Sequence, residues 1–166
     1  LSTQAKDNAP HYQHSEIGYN YRLSNISAGI GRGQMEVLEQ RVLQRIENHH
    51  FYKEILTKFV GVKLFSEPNN DFKSNHWLSA ILINPKDTDG VDRENLRLAF
   101  DEVNIESRPL WKPMHMQPIF EKAEFFVSNI AENLFNNGLC LPSGSNLSEQ
   151  DKKRIQVILE KMFISK

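Results

Sequence analysis

From Ser24 to about residue 60 the chain reads "SNISAGIGRGQMEVLEQRVLQRIENHHFYKEILTKFV", a helical pattern with no proline in it. At a rise of 1.5 Å per residue such a segment would be about 55 Å long, so whatever else the chain builds must pack along it. Ile26, Ile30, Val37, Phe51 and Ile55 fall on one helical stripe. Met35, Leu38, Val42, Ile46, His49 and Leu56 fall on a neighbouring one. The apolar arc is therefore wide, as in a helix held between two bodies rather than laid on a surface. Ser24 or Asn25 is the expected N-cap, since either side chain can accept from exposed backbone N–H groups. Gly29, Gly31 and Gly33 mark the place where the helix can break. A glycine inside a helix costs about 1 kcal/mol, so the expected reason for three is close approach of another helix or backbone.

The remainder alternates short elements. Residues 1 to 18 read as a polar, extended lead-in with a turn around Asn8-Ala9-Pro10. Strands are expected at Val62 to Phe65 and at Trp77 to Ile83, the second apolar throughout and so covered on both faces. Asp92 is placed to cap a helix from Arg93 to Val103, with Leu96, Ala99, Phe100 and Val103 inward. Ile105 to Leu110 reads as a strand, and Pro109, Pro113 and Pro118 force an irregular loop after it. A helix from Asn129 to Asn137 ends at Gly138, Leu139 to Pro142 is a short buried run, and Ser148 caps a last helix. The order predicts an α/β or α+β layer, helices packed on a small sheet.

The totals exclude several classes. A formal net charge of -1 lacks the basic surplus of a protein that coats nucleic acid. No apolar run reaches the roughly 18 to 20 residues that cross a bilayer, and Leu1 to Pro10 has no signal-peptide core. One cysteine, Cys140, rules out an internal disulfide framework and fits a reducing compartment, here read as cytoplasmic. The chain begins without Met and in mid-pattern, and is read as a piece of something longer.

Few side chains invite chemistry. The G-x-G-x-G run does not follow a strand and is not the dinucleotide spacing. His11 and His14 are an H-x-x-H pair without a cysteine nearby, so a solvated pair is the expectation rather than a metal site. His49 and His50 point apart on a helix, and Cys140 between two leucines is a core thiol. Two stretches stand out. In "GYNYR", Asn20 brings amide donors and Arg22 guanidinium donors to a helix N-terminus, a place that favours anions. That corner either grips a phosphate or is a stiff turn whose tyrosines pack. In "SRPLWKPMHMQPIF" a rigid loop presents Trp111, Lys112, His115 and Gln117, either as a Pro-rich corner or as a surface for a nucleotide or sugar.

These stretches together carry a resemblance. "TQAKDNAPHYQHSEIGYNYRLSNISAGIGRGQMEVLEQR", "ESRPLWKPMHMQPIF" and "LFNNGLCLPSGSNLSEQDKKRIQVIL", in that order, are similar to the C-terminal part of the DegT/StrS nucleotide-sugar aminotransferases. The likeness covers nearly the whole chain and leans toward the branch that aminates UDP-linked 4-keto-6-deoxy sugars for bacterial glycans. It implies the aspartate-aminotransferase (type I) fold, pyridoxal 5'-phosphate as cofactor, glutamate as amino donor, and a homodimer with active sites between subunits. On it, residues 1–23 end the large-domain region, 24–60 are a long linking helix, and 61–166 are the small domain.

The resemblance also implies roles. Asn20 would reach the cofactor phosphate in the partner's site, and Arg22 would lie near the sugar-nucleotide phosphates or the donor carboxylate. Trp111 and His115 would border the nucleotide-sugar cleft; the alternative is that Trp111 packs and only His115 is exposed. No residue here is assigned as the catalytic lysine. In this family the Schiff-base lysine precedes the GYNYR loop, and Lys6 is not given that role. The fragment by itself is therefore expected not to transaminate. Two other readings stay open: a sugar dehydratase with histidine at the lysine position, and a non-catalytic sugar-nucleotide-binding or dimerisation module. No metal, nucleic acid or membrane partner is implied.

Overall fold

A computed structural model describes residues 5–20, 23–126 and 128–164. The expected long helix is two helices. Ser24 caps α1 (Asn25–Met35) by accepting from the Ser27 N–H at 3.1 Å. At Glu36 and Val37 the backbone N–H groups turn back to the carbonyls of Gly33 and Gln34, both at 3.3 Å. This tight turn ends α1 just after its third glycine, and α2 (Leu38–Leu56) starts anew. None of α1 is buried; Ile26, Ile30 and Met35 are all exposed. Apart from α1's own nearby backbone, no heavy atom of the described residues lies within 4 Å of a Cβ built on Gly29, Gly31 or Gly33. Among the described residues, then, no second body approaches α1, and the wide apolar arc is covered only along α2.

Four strands form one antiparallel sheet in the order β1-β2-β4-β3. They are β1 (Val62–Leu64), β2 (Ser79–Ile83), β3 (Arg108–Pro109) and β4 (Gly138–Leu141). Ile81 faces Leu139, and Ala80 faces Cys140 across the central pair. On one face α2, α3 (Arg93–Asp101) and α5 (Glu149–Phe163) enclose the core of Tyr52, Leu56, Ile81, Leu96, Phe100, Leu139, Leu141 and Leu159. Helix α4 (Ile130–Asn137) packs on β4 and β2 with Phe135 buried. Only β4 is buried at every position, whereas β2 alternates between buried and partly covered residues.

The caps at Asp92 and Ser148 are both reciprocal capping boxes, closed by Asn95 and Asp151. Three other expectations change. Val103 is exposed because α3 ends at Asp101 and the Ile105 N–H returns to the Phe100 carbonyl at 2.9 Å. That bond takes the backbone out of the sheet, so the strand expected over 105–110 pairs only at Arg108 and Pro109. Pro109 has no N–H to give, which suits an edge strand. Strand β2 begins at Ser79, two residues later than expected, because the Trp77 carbonyl is taken by the Arg45 guanidinium on α2.

Gly138 joins α4 directly to β4 in an extended conformation, φ -99° and ψ 139°, so it is not a left-handed helix cap. Its smallness matters instead: an added Cβ would sit 2.4 Å from the Leu134 carbonyl oxygen and 2.2 Å from Leu110 Cδ1. Gly138→Ala is expected to destabilise the chain by about 1–3 kcal/mol through overpacking. The urea midpoint of the variant beside the parent checks it, and an unchanged midpoint would show that α4 and β4 are less tightly joined.

Candidate functional site

A polar ladder on α2 sets the geometry around the exposed end of the sheet. Residues 45, 48 and 52 lie on one helical face and donate to the turn that leaves β4. Arg45 reaches the Ser143 carbonyl at 3.0 Å, Asn48 reaches Gly144 O at 2.8 Å, and Tyr52 Oη reaches Pro142 O at 2.7 Å. Arg45 also holds the Trp77 carbonyl. Ser143 completes the turn, accepting from the Ser79 N–H at 2.8 Å and donating to Leu141 O at 2.7 Å. Side chains thus satisfy a buried backbone corner that no strand or helix serves.

A buried carboxamide ties the lead-in to the Pro-rich loop. Gln117, 3% exposed, accepts from the His14 N–H at 3.0 Å and donates to Tyr12 O at 2.8 Å and Lys112 O at 3.2 Å. Lys112 closes the ring by donating to Gln13 Oε1 at 2.7 Å. His14 is buried and His11 stands edge-on to Phe135 at 5.5 Å, so the histidine pair is packed rather than solvated. Among the described residues no three His, Cys, Asp or Glu side chains converge as a metal ion needs.

The loop points its two candidate residues at different neighbours. Trp111 is half-exposed; it stacks with Tyr12 (centroids 6.3 Å, planes 15° apart) and tilts against Trp77 at 5.9 Å. His115 is largely covered, with 12% of its side chain exposed. Its Nε2 lies 2.7 Å from Glu132 Oε1 in the first turn of α4, and its ring stacks on Phe125 at 5.0 Å. The alternative in which Trp111 packs and His115 alone is exposed is therefore reversed. Asn20 is exposed, five residues before α1. Arg22 lies outside the described residues.

A cavity of 310 Å³ opens beside Trp111, and its wall includes Tyr12, Trp77, Arg108 and Cys140. Burial pushes the Cys140 thiol up to about 11, so it stays protonated and inert as expected of a core thiol. Tyr12, Trp77, Glu132 and the Arg45–Asn48–Tyr52 ladder were not singled out from sequence as parts of one site, and Gln117, expected to be presented by the loop, is instead buried as its tie to the lead-in. Only the ladder has a sequence signal, its spacing of three and four on a helix.

Residues 1–160 match the DegT/DnrJ/EryC1/StrS aminotransferase family. The chain belongs to this family. It is 42% identical over 167 residues to EpsN of Bacillus subtilis (strain 168), provisionally named a pyridoxal phosphate-dependent aminotransferase, covering 98% of this chain and 42% of that protein. It is 32% identical to the GDP-perosamine synthase of Escherichia coli O157:H7, covering 84% of this chain and 36% of the synthase. Its fold superposes on Helicobacter pylori PseC, an aminotransferase of pseudoaminic acid biosynthesis, with a TM-score of 0.73 at 21% identity over 97% of this chain and 43% of PseC. This DegT-family chain thus spans less than half the length of the relatives it matches, and it shares their mixed α/β fold. None of its described helices is long and apolar enough to cross a membrane.

Two predictions follow from the supports of the site. Gln117→Leu removes three bonds while leaving buried backbone groups unpaired, at about 1–3 kcal/mol each where water cannot reach. Hydrogen exchange at His14 should then rise well above that of core amides such as Leu139; unchanged protection would mean the lead-in is held by other contacts. The second concerns Trp77, whose turn is held by His76 at φ 45°, with its ring stacked 3.8 Å from buried His49 and its Nε2 3.1 Å from Glu67. Burial first, then the His76 imidazole, lowers His49 from 6.5 to about 4, with Glu67 opposing and His50 and Lys53 adding to the effect. The unfolded chain takes up this proton first, so the contribution is full above pH 6.5 and is lost as pH falls toward 4. Urea midpoints stepped through that range should fall less steeply in His49→Gln than in the parent. Equal slopes would remove His49 as the cause.

Proposed function

We propose that this chain is the C-terminal portion of a pyridoxal-phosphate-dependent aminotransferase that passes an amino group, from glutamate, to a nucleotide-linked keto-sugar in glycan biosynthesis. Residues 1–23 end its large-domain region, 24–60 link the domains through α1 and α2, and 61–166 are the small domain. The enzyme works in the cytoplasm as a homodimer with its sites between subunits. The observation that carries the reading is the family match over residues 1–160, together with relatives named for amino sugars. The fold shared with PseC is consistent with it.

Within that enzyme each residue of this chain has a limited task. Asn20 donates its amide hydrogens to the cofactor phosphate in the partner's site, where its exposed position ahead of α1 leaves it free to reach. Arg22 neutralises the sugar-nucleotide phosphates or the donor carboxylate. The Pro-rich loop holds Trp111 and His115 at the substrate cleft, with the His115 ring oriented by Glu132 and Phe125. Bound pyridoxal phosphate supplies a temporary carrier for the amino group, and no lysine of this chain is its anchor.

The experiment is a pyridoxal phosphate titration of the full-length protein, followed by absorbance, with and without Asn20→Ala. Loss of a hydrogen bond to a charged phosphate should weaken cofactor binding about tenfold or more. Unchanged affinity would remove Asn20 from the phosphate site. A second reading, a dehydratase acting on a nucleotide sugar, is supported by the fold shared with the Escherichia coli GDP-4-keto-6-deoxy-D-mannose-3-dehydratase, at a TM-score of 0.68 and 21% identity. Histidine in place of lysine at the anchor position of the full-length protein would favour that reading.

A further inference from the structure

The segment between β1 and β2 is held down by contacts that packing does not require. None of residues 66–78 is buried, so little apolar burial keeps the segment against the molecule. Its own side chains nevertheless make it one piece. Glu67 Oε1 accepts from the Ser74 N–H at 3.1 Å and lies 3.1 Å from His76 Nε2. The Ser74 hydroxyl accepts from the His76 N–H at 3.0 Å, and Asn75 Oδ1 accepts from the Trp77 N–H at 3.2 Å. Between them His76 adopts φ 45°, a left-handed conformation that a residue with a Cβ keeps only where its surroundings impose it. That turn lays the His76 ring on the His49 ring of α2, with centroids 3.8 Å apart and planes 21° from parallel. Arg45 on the Trp77 carbonyl and the Trp77 ring against Trp111 tie the far end of the segment.

His49 is the unusual member of this pair. It is buried, and its Nδ1 is out of solvent with no hydrogen-bond partner among the described residues. A leucine or phenylalanine would fill the same place without a stranded polar atom. A buried imidazole takes a proton only if water can reach the charge that results. Helix α2 cannot lift to admit it, because Tyr52, Ile55 and Leu56 fasten it in the core. The ring that can move is the one above, on the segment without buried residues. The titratable groups acting on His49 are His76 and Glu67 from the segment and His50 and Lys53 from α2 itself. Three of these four oppose a charge on His49, and Glu67, which favours one, is already engaged by His76 and the Ser74 N–H. Burial first, then His76, holds His49 at about 4 while the segment is closed, against 6.5 in water. An opened segment therefore takes up the proton first. Closure is fully favoured above pH 6.5, and the open-to-closed ratio rises about tenfold per pH unit from there toward pH 4.

We propose that residues 66–78 form a proton-operated latch: His76 closes over uncharged His49 at neutral pH, and acidification lifts the segment from α2 by placing a proton on His49. The inference goes beyond the aminotransferase reading and does not depend on it. The Arg45 bond at the Trp77 carbonyl is exposed, so water can replace it when the segment moves. Trp77 lines the cavity beside Trp111, and release opens that cavity on one side while the core stays folded.

Native-state hydrogen exchange on the 166-residue chain tests this at the Ser74 and His76 amides, both bonded within the segment. Protection is corrected for the intrinsic pH dependence of exchange and followed from neutral pH toward pH 4. At both amides it should fall about tenfold per pH unit below 6.5. Low urea should leave that fall unchanged, because local opening exposes little surface, whereas the Leu139 amide in the core should respond to urea. His49→Phe keeps a flat ring beneath His76 and His49→Gln keeps a polar side chain, and neither titrates. Circular dichroism confirms that each folds, and the pH-dependent fall should vanish in whichever does. Constant protection in the parent across this range overturns the latch, and so does the same fall in a folded variant. Urea dependence at Ser74 and His76 equal to that at Leu139 also overturns it, since the event would then be unfolding of the whole chain.

Discussion

One buried carboxamide holds the recognisable sequence motifs in a common arrangement. Gln117 bonds the backbone of His14, Tyr12 and Lys112, and so fastens the lead-in to a loop about a hundred positions further along the chain. Without it, the lead-in, which has no strand partner among the described residues, would be held by the Lys112–Gln13 bond and by ring contacts. With it, Tyr12 is delivered to the back of Trp111, His11 reaches Phe135 on α4, and the stretch leading to Asn20 departs from a fixed point. A glutamine suits the task because its two donors and its acceptor satisfy three backbone groups in a dry place at once.

The second support is the α2 face that carries Arg45, Asn48 and Tyr52. Its bonds to residues 142–144 and to Trp77 fix the helix against the sheet and fix one wall of the aromatic cavity by the same contacts. The apolar core on the other side of these groups supplies the bulk of the burial, but it is indifferent to where an exposed indole points. Direction comes from the hydrogen bonds. A rigid frame carrying half-exposed rings and a few edge polar groups is the arrangement a binding surface needs, since a ring already fixed loses little freedom when a ligand arrives.

Much of the framework was legible in the residues. The caps at Ser24, Asp92 and Ser148, the helix ahead of Gly138 and the buried run Leu139 to Leu141 are local matters, and a side chain two or three positions away decides each. What the pattern misjudged was decided at a distance. Trp77 was expected inside a strand, yet Arg45, 32 positions earlier, takes its carbonyl. The run 105–110 was expected as a strand, yet the end of α3 takes the Ile105 N–H. His14 was expected in solvent and lies under the loop. The resemblance named Asn20, Trp111 and His115 together, but it could not separate their surroundings.

From sequence alone came the family, the order of elements and the residue types brought to the two unusual loops, because composition, periodicity and motif order are properties of the chain itself. The tertiary structure alone decided that Trp111 lies open beside Trp77 and Tyr12, that His115 turns to Glu132 under Phe125, and that α1 is uncovered among the described residues. The reason is physical. A side chain's direction and exposure depend on neighbours that arrive from remote segments, and those contacts leave no period or spacing in the sequence to read.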